Sequence, residues 1–447
     1  MIVQNWWFTT LLKNQYKTCP PLQKDITCDI LIIGGGMSGV SVAAEFIGKG
    51  LKVVLIEKNI LGGSSSGKSA GFLTPDSELE LSQLVRRFGI KGAREIWSAP
   101  VEGIELIKKN IEKYNIACDF RTQDSLFLGI GNSGLVDVKD EMESRETVGF
   151  KNQELYTKDG LDRILKSEGF YGAVRYSDTY GINCLQYLQG MKSVFLENGI
   201  EIYESTEVHS LNGNIAYTHA GSIKADQIIV AIDKMEDNFN KVAKEIYHAQ
   251  TFLSVSEPLS DAEVSQLFPS GNEFQMWDST LVYSYWRLID ENRILLGGGT
   301  AASTFLPNPW YDDGIIKGVQ KRFKKHFNFL DSLNFIQYWP GLIDTSRDLL
   351  PVLVKDEKNP SIHFIQGVVG LPWASFCGHF IANNILDSSI SEDKKYYEYF
   401  SDRRYFAFPT WMKNLISKPL LFSLNNGWAK YYQVDKKDGL KYKKDEF

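Results

Sequence analysis

The sequence predicts an α/β fold, α+β overall, in which a Rossmann-like nucleotide-binding domain is interleaved with a second domain. Three observations predict it. The chain has 447 residues with 43% hydrophobic and 13% aromatic content, more than one core usually holds. Residues 28–58, CDILIIGGGMSGVSVAAEFIGKGLKVVLIEK, give a buried-strand run, a glycine turn, a helical stretch and a second strand ending in an acid. Far along the chain, IHFIQGVVGLPWASFCGHFIANNI at 362–385 gives another strand, a glycine-containing turn and an apolar helix.

The βαβ stretch carries the strongest chemistry. Gly34 permits the tight turn, Gly36 lets the backbone approach a pyrophosphate, and Gly39 lets the helix pack on the strand. Amides from Met37, Ser38 and Gly39 onward would face the phosphates at a helix N-terminus. Glu57 closes the second strand, followed by Lys58, where a carboxylate can accept ribose hydroxyls. The pattern specifies a dinucleotide without separating FAD from NAD. An NAD-linked dehydrogenase would be colourless, whereas a flavoprotein is yellow.

Residues 62–69, GGSSSGKS, satisfy the phosphate-loop spacing GxxxxGK[ST]. A nucleoside triphosphate loop needs a strand immediately before it and a helix immediately after. KNIL separates it from VVLIE, and Gly71 and Pro75 oppose a helix directly behind it. The better reading is a second glycine and serine loop against the cofactor held by Glu57.

The late turn has its own logic. A strand ending at Gln366, glycines at Gly367 and Gly370, and Pro372 at a first-turn position would present free amides at the start of a helix. Such donors stabilise an anion that forms beside them; the alternative is an ordinary strand-to-helix turn without a ligand.

With these motifs in place, the chain resembles the FAD-dependent amine and D-amino acid oxidoreductase (DAO) family, most of all its gamma-glutamylputrescine oxidoreductase branch, along nearly its whole length. The resemblance implies an FAD-binding domain of the glutathione-reductase type and an antiparallel-sheet substrate domain. The family's SGxxGG loop wraps the flavin, and SSGKSAGF at 65–72 occupies its place. That implies cofactor contacts by Ser65, Ser66, Gly67, Lys68, Ser69, Ala70 and Gly71. YGAVRYSDTYGINCLQYLQGMKSVFLENGIEIYESTEVHSL at 171–211 resembles the segment returning to the nucleotide domain, with Val208 on the adenine through its backbone. SEPLSDAEV and VYSYWRLIDENRILLGGGT resemble the substrate sheet, and 362–385 resembles the helix whose N-terminus faces the flavin. Gly341, Gly367, Gly370, Leu371, Pro372 and Trp373 then complete the flavin contacts.

Three departures from the family bear on activity. Members read SGHG where this chain has VGLP at 369–372, which removes a polar group near the ring and leaves a flavin-binding protein with decayed turnover as an alternative. The arginine that forks onto a substrate carboxylate in glycine oxidase and its relatives is replaced by Ile343, which implies an amine with no carboxylate on the reacting carbon. Arg347 is a possible substitute, the basis of a second alternative, an amino-acid dehydrogenase with a different carboxylate-binding residue. The lysine that promotes oxygen reduction in sarcosine oxidases falls on Leu295, so the acceptor is oxygen or an electron carrier. The implied reaction oxidises the C–N bond of a primary or secondary amine to an imine. Tyr285, Arg287 and Trp373 are candidate substrate-wall residues, with Tyr283 and Trp286 beside them, and strand alternation puts Tyr283, Tyr285 and Arg287 on one face. No histidine follows the 62–72 loop and no cysteine lies in GLIDT, so FAD is expected without a covalent link.

Composition excludes other classes. A net charge of −6 opposes nucleic-acid binding, which needs a basic face. Six histidines without ligand spacing predict no metal. Five scattered cysteines fit a reducing cytoplasmic setting. The N-terminus lacks the layout of a secretory signal, and no apolar run approaches the roughly 18 residues of a membrane span. The expected organisation is an arm over 1–24 with Trp6 and Trp7 packed on the body. The FAD-binding domain is expected over 25–88, 165–235 and 338–390, the substrate domain over 89–164 and 236–337. A tail over 391–447 would pack on the surface, peripheral contact with a membrane or a partner being the alternatives.

Overall fold

The structure, a computed structural model, describes residues 1–13, 16–76, 79–233, 246–280, 282–299, 313–346, 348–387 and 394–404. In chain order the first part runs β1 (Ile2–Val3), α1 (Trp6–Leu12), β2 (Ile26–Ile33), α2 (Met37–Glu45), β3 (Val53–Ile56), β4 (Phe72–Leu73), α3 (Leu81–Tyr114), β5 (Arg121–Thr122), β6 (Asp124–Ile130), α4 (Gly131–Val148), β7 (Gln153–Thr157), α5 (Lys158–Leu161), β8 (Phe170–Tyr176) and β9 (Tyr180–Gly181). It continues through α6 (Cys184–Glu197), β10 (Glu201–Tyr203), β11 (Val208–Asn212), β12 (Ile215–Thr218), β13 (Ser222–Val230), β14 (Tyr247–Pro258), α7 (Asp261–Leu267), β15 (Phe274–Asp278), β16 (Tyr285–Ile289), β17 (Arg293–Gly298), α8 (Asp313–His326), β18 (Phe335–Thr345), β19 (Val352–Lys355), β20 (Ile362–Gln366), α9 (Leu371–Leu386) and α10 (Lys394–Tyr399).

The apolar runs ILII and VVLI are buried along their length, as strands covered on both faces must be. They form the centre of a parallel sheet in which β10, β3, β2, β13 and β20 lie side by side. The first half of β13 also carries the antiparallel meander β11–β12, and β19 closes the far edge. Helices α2, α6 and α9 cover one face of this sheet and build the largest core with α3. α3 bends where Gly89 takes a left-handed φ of 68°.

The second sheet has nine strands in the order β1-β18-β14-β17-β16-β15-β6-β8-β7, antiparallel except at β1·β18 and β15·β6. Two segments expected in the FAD-binding domain belong to it. β8 pairs with β6 and β7, so the chain returns to the parallel sheet only after residue 181, and β18 pairs along its length with β14, so the last crossing comes after residue 345. WPGL looks like a turn because Pro340 and Gly341 interrupt it. Pro340 is tolerated in the strand because β1 pairs only with Gln337 and Tyr338, which leaves the Pro340 side without a ladder partner. In the N-terminal arm Trp6 and Trp7 are buried, and β1 extends this sheet.

One face of the nine-stranded sheet packs Tyr338, Phe252, Leu296 and Trp286 into a core with α7 and α8. The opposite face meets the nucleotide-binding half. On it Trp339, Leu253, Gly297, Tyr285, Trp277 and Phe127 stand in one row across six strands.

Candidate active site

Ligands of open α/β sheets bind outside the carboxyl ends of the strands. Three sequence-predicted features emerge from that one edge. The Gly34 turn follows β2, Glu57 follows β3, and the Gly367–Gly370 turn follows β20, with only β13 between β2 and β20. The two helices behind these turns also touch. A side chain on Gly378 would meet the Ser38 carbonyl oxygen at 2.3 Å, and Ser41 Oγ lies 3.2 Å from Ser375 Oγ.

The glycines differ in what they do. Gly34 has φ 109°, and a Cβ there would meet the Ala231 carbonyl oxygen at 2.3 Å. A Cβ on Gly39 would strike the Gly34 oxygen at 1.9 Å, so this residue serves helix packing. Gly36 has an ordinary φ of −78°, and a Cβ there would meet only Ser66 Oγ within 4 Å, at 3.2 Å. The protein therefore leaves room over Gly36, at a helix start whose N-cap residue supplies no capping side chain and whose first amide, Met37 N, is met by Ser66 Oγ at 2.9 Å. α9 begins in the same way, with the exposed Gly370 at φ 95° and no capping side chain.

Glu57 is buried and accepts from Gly35 N at 2.8 Å through Oε2 and from Asn59 N at 2.9 Å through Oε1. Burial raises its carboxyl above the usual range against the pull of these amides, and each oxygen keeps a lone pair that a hydroxyl can satisfy. Lys58 beside it is exposed. Thr206 N donates to Glu57 O at 2.9 Å, which brings Val208, the first residue of β11, to the same corner. These groups fit FAD: a glycine helix start with space for a diphosphate, a buried carboxylate for the ribose, and a second helix start without a capping side chain on the same edge.

The 62–71 loop is not followed by a helix. Ser66–Lys68 make one 3₁₀ turn and β4 comes next, which removes the triphosphate-loop reading. The loop leans on the first glycine turn, with Gly62 N donating to Gly35 O at 2.8 Å and Met37 N to Ser66 Oγ at 2.9 Å. Ser65 Oγ donates to Leu342 O at 2.8 Å, tying it to β18. Four consecutive carbonyls of the loop each receive a side-chain donor: Gly67 O from Asn5 Nδ2 at 2.7 Å, Lys68 O from Trp339 Nε1 at 3.1 Å, Ser69 O from Trp7 Nε1 at 2.7 Å, and Ala70 O from Arg287 Nε at 2.9 Å. Gly71 has φ 74°, and a Cβ there would collide with the Ile182 carbonyl oxygen at 1.9 Å.

Alternation holds for Tyr285 and Arg287, which share the cofactor-side face, but their settings differ. Tyr285 is half-buried, with Oη 3.0 Å from Thr251 Oγ1 and its ring edge-on to Phe72 at 5.9 Å and tilted against Tyr283 at 5.7 Å. Arg287 is fully buried. Besides Ala70 O it donates to Ile182 O at 2.5 Å, Leu288 O at 3.2 Å and Gln123 Oε1 at 3.2 Å. Burial pulls its guanidinium down to about 10, still charged at neutral pH. It is a strut beneath the loop and does not line a substrate wall. Trp373 is also a strut: it is 2% exposed, donates from Nε1 to Pro75 O at 3.1 Å and packs on Phe400. Trp286 points into the opposite core, and Leu371 is buried in the main one.

Ile343 is half-buried at the end of β18, opposite Ala249. By alternation it shares a face with Gly341 and Trp339, and a Cβ on Gly341 would meet only Thr251 Cγ2 within 4 Å, at 3.7 Å. Leu295 is 1% exposed and sits beside Arg287 on the same face. Arg347 and most of the 391–447 tail lie outside the described residues. Sequence reasoning missed Thr251, Asn5, Trp7 and Trp339 in this neighbourhood. Only Asn5, a helix-capping residue type ahead of WWFTTLL, carried a local signal.

Comparison with known proteins agrees with this geometry. The pattern defining the FAD dependent oxidoreductase family, DAO, matches residues 29–383. Gamma-glutamylputrescine oxidoreductase of Escherichia coli is 26% identical over 89% of this chain and 91% of its own. The probable oxidoreductase OrdL of Haemophilus influenzae is 26% identical over 86% of this chain and 88% of its own. Among solved structures, glycine oxidase from Geobacillus kaustophilus superposes with a TM-score of 0.72 at 16% identity, covering 85% of this chain and all of that one. With its two glycine turns and the buried carboxylate of Glu57 on one sheet edge, the chain belongs to the DAO family of FAD-dependent oxidoreductases.

Proposed function

We propose that the chain oxidises the C–N bond of a primary or secondary amine to an imine, and that the amine bears no carboxylate on the reacting carbon. Bound FAD supplies the redox chemistry by accepting the equivalent of a hydride from the carbon next to nitrogen. Gly34, Gly36, Met37, Ser38 and Gly39 would hold its diphosphate, Glu57 and Lys58 its ribose end, Val208 its adenine, and the 65–71 loop with Gly341, Gly367, Gly370, Leu371 and Pro372 its flavin half.

The observation that carries the substrate reading is Ile343. Its apolar side chain occupies the strand face that also holds Trp339 against the flavin loop. A carboxylate placed there would lose water without gaining a cation, at a cost of about 2 kcal/mol or more. Arg287, on the same face three strands away, spends its donors on Ala70 O, Ile182 O, Leu288 O and Gln123 Oε1. The half-buried rings of Phe72, Tyr283 and Tyr285 attract an ammonium group through their faces. Tyr285 with Thr251 supplies a hydroxyl pair to orient a substrate polar group, a pre-organisation that lowers the barrier by positioning.

The electron acceptor is oxygen or a carrier, and the apolar Leu295 where sarcosine oxidases place a lysine supports slow reaction with oxygen. A reducing, cytoplasmic setting is supported by five unpaired buried cysteines; no helix among the described residues is long and apolar enough to cross a membrane.

An anaerobic panel of primary and secondary amines and amino acids, read as bleaching of the visible flavin band, tests the proposal. Bleaching by at least one amine lacking a carboxylate is expected. Faster bleaching by glycine or D-alanine than by every amine sinks it, and a flavin oxidised throughout favours the reading of decayed turnover suggested by VGLP.

A further inference from the structure

Asn5 and Trp7 lie more than fifty residues ahead of the flavin loop in sequence, yet each donates directly to it. Their targets, Gly67 O at 2.7 Å and Ser69 O at 2.7 Å, alternate with those of Trp339 and Arg287 along the loop. No strand ladder orients the peptide planes of this loop, so side-chain donors on successive carbonyls fix each plane in turn. The arm is held firmly enough to do this. β1 pairs with Gln337 and Tyr338, and Gln4 N donates to Tyr338 O at 3.0 Å. Asn5 Oδ1 caps α1 by accepting from Trp7 N at 3.0 Å while its Nδ2 serves Gly67. Asn183 Nδ2 reaches from the start of α6 to Thr10 Oγ1 at 2.8 Å.

We infer that Asn5 and Trp7 are positioning residues of the FAD site, through which the N-terminal arm sets the peptide orientation of the 65–71 loop and so controls how tightly the flavin is held. The inference rests on FAD being bound against that loop and is independent of which amine is oxidised. Neither residue touches the reacting atoms; both act through the loop.

The neighbouring Trp6 supplies a matched control. It is buried like Trp7, but its Nε1 has no hydrogen-bond partner. Trp6→Phe and Trp7→Phe therefore remove the same atoms from the same helix, and only the second removes a bond to the loop. In the full chain, apoprotein is titrated with FAD, following flavin fluorescence and the shape of the visible band. Trp7→Phe is expected to weaken FAD binding about three- to tenfold, the worth of one net hydrogen bond, and to shift the band, with Trp6→Phe close to wild type in both. Asn5→Ser keeps the helix cap but is too short to reach Gly67, and it is expected to match Trp7→Phe; it carries the test should Trp7→Phe not fold. Equal FAD affinity and equal spectra in wild type, Trp7→Phe and Asn5→Ser would overturn the inference even if melting temperatures fall. A wild-type chain that takes up no FAD would overturn the cofactor assignment itself.

Discussion

Replacing Ile343 by arginine should hand the active site a carboxylate partner. Ile343 is half-buried on the cofactor-side face of β18, next to Gly341, whose absent side chain leaves space above Thr251. A guanidinium emerging there can fork onto a carboxylate, and hydrogen bonds between charged groups are worth about 1.5–3 kcal/mol. Partial exposure puts the expected gain at the lower end of that range, and at about 1.4 kcal/mol per factor of ten the variant should favour amino acids roughly tenfold more than wild type does. The assay pairs each amino acid with the amine that lacks only its carboxylate, glycine with methylamine and D-alanine with ethylamine. Anaerobic stopped-flow bleaching gives the ratio of the two rates in each protein. Wild type should reduce faster with the amine, and Ile343→Arg should move the ratio toward the amino acid. A wild type that already prefers glycine or D-alanine, or a ratio that the substitution leaves unmoved, would show that Ile343 does not face the substrate.

Two further outcomes concern the supports of the site. Arg287→Ala strands the buried carbonyls of Ala70 and Ile182, at about 1–3 kcal/mol each, so it should lower unfolding free energy by about 2–6 kcal/mol and loosen FAD without raising the apparent amine dissociation constant more than the loss of flavin explains; a raised amine constant at full FAD content would restore Arg287 to the substrate wall. His379 joins the helices behind the two cofactor turns, with Nδ1 2.8 Å from Glu45 and Nε2 3.4 Å from Glu102. Burial pulls its pKa down, but these two carboxylates raise it to about 9. Because the folded value exceeds the ordinary 6.5, the stabilisation, on the order of 3 kcal/mol, is fully present below about pH 6.5 and lost as pH rises through about 9. Denaturant unfolding of wild type and His379→Gln should therefore differ near pH 6 and converge near pH 10, and a constant difference across that range would refute the assignment.

Much of the nucleotide half was legible because its signals are local. Strand, glycine turn, helix and acid follow one another within residues 28–58, and the strand ending at Gln366 with a helix beginning at Leu371 came from a similar run. Sheet membership was less legible because pairing is non-local. Phe170–Tyr176 and Phe335–Thr345 look like strands of either sheet until their partners are known. Period-two alternation put Tyr285 and Arg287 on the correct face, but it says nothing of depth, and only the carbonyls of Ala70 and Ile182 reveal that Arg287 is used up as a support. Trp7 was illegible for the same reason, and Asn5 signalled only its helix cap, since their loop targets lie far away in the sequence.

The claim that the two turns on one sheet edge hold a single FAD is tested most directly by flavin released per chain from wild type and from Gly36→Val. Gly36 has an ordinary φ and a Cβ there clears every protein atom except Ser66 Oγ, so the variant should fold with unchanged circular dichroism while its side chain fills the space left for the diphosphate. One FAD per wild-type chain and little or none in a folded Gly36→Val is the expected result; equal stoichiometric FAD in both would contradict it.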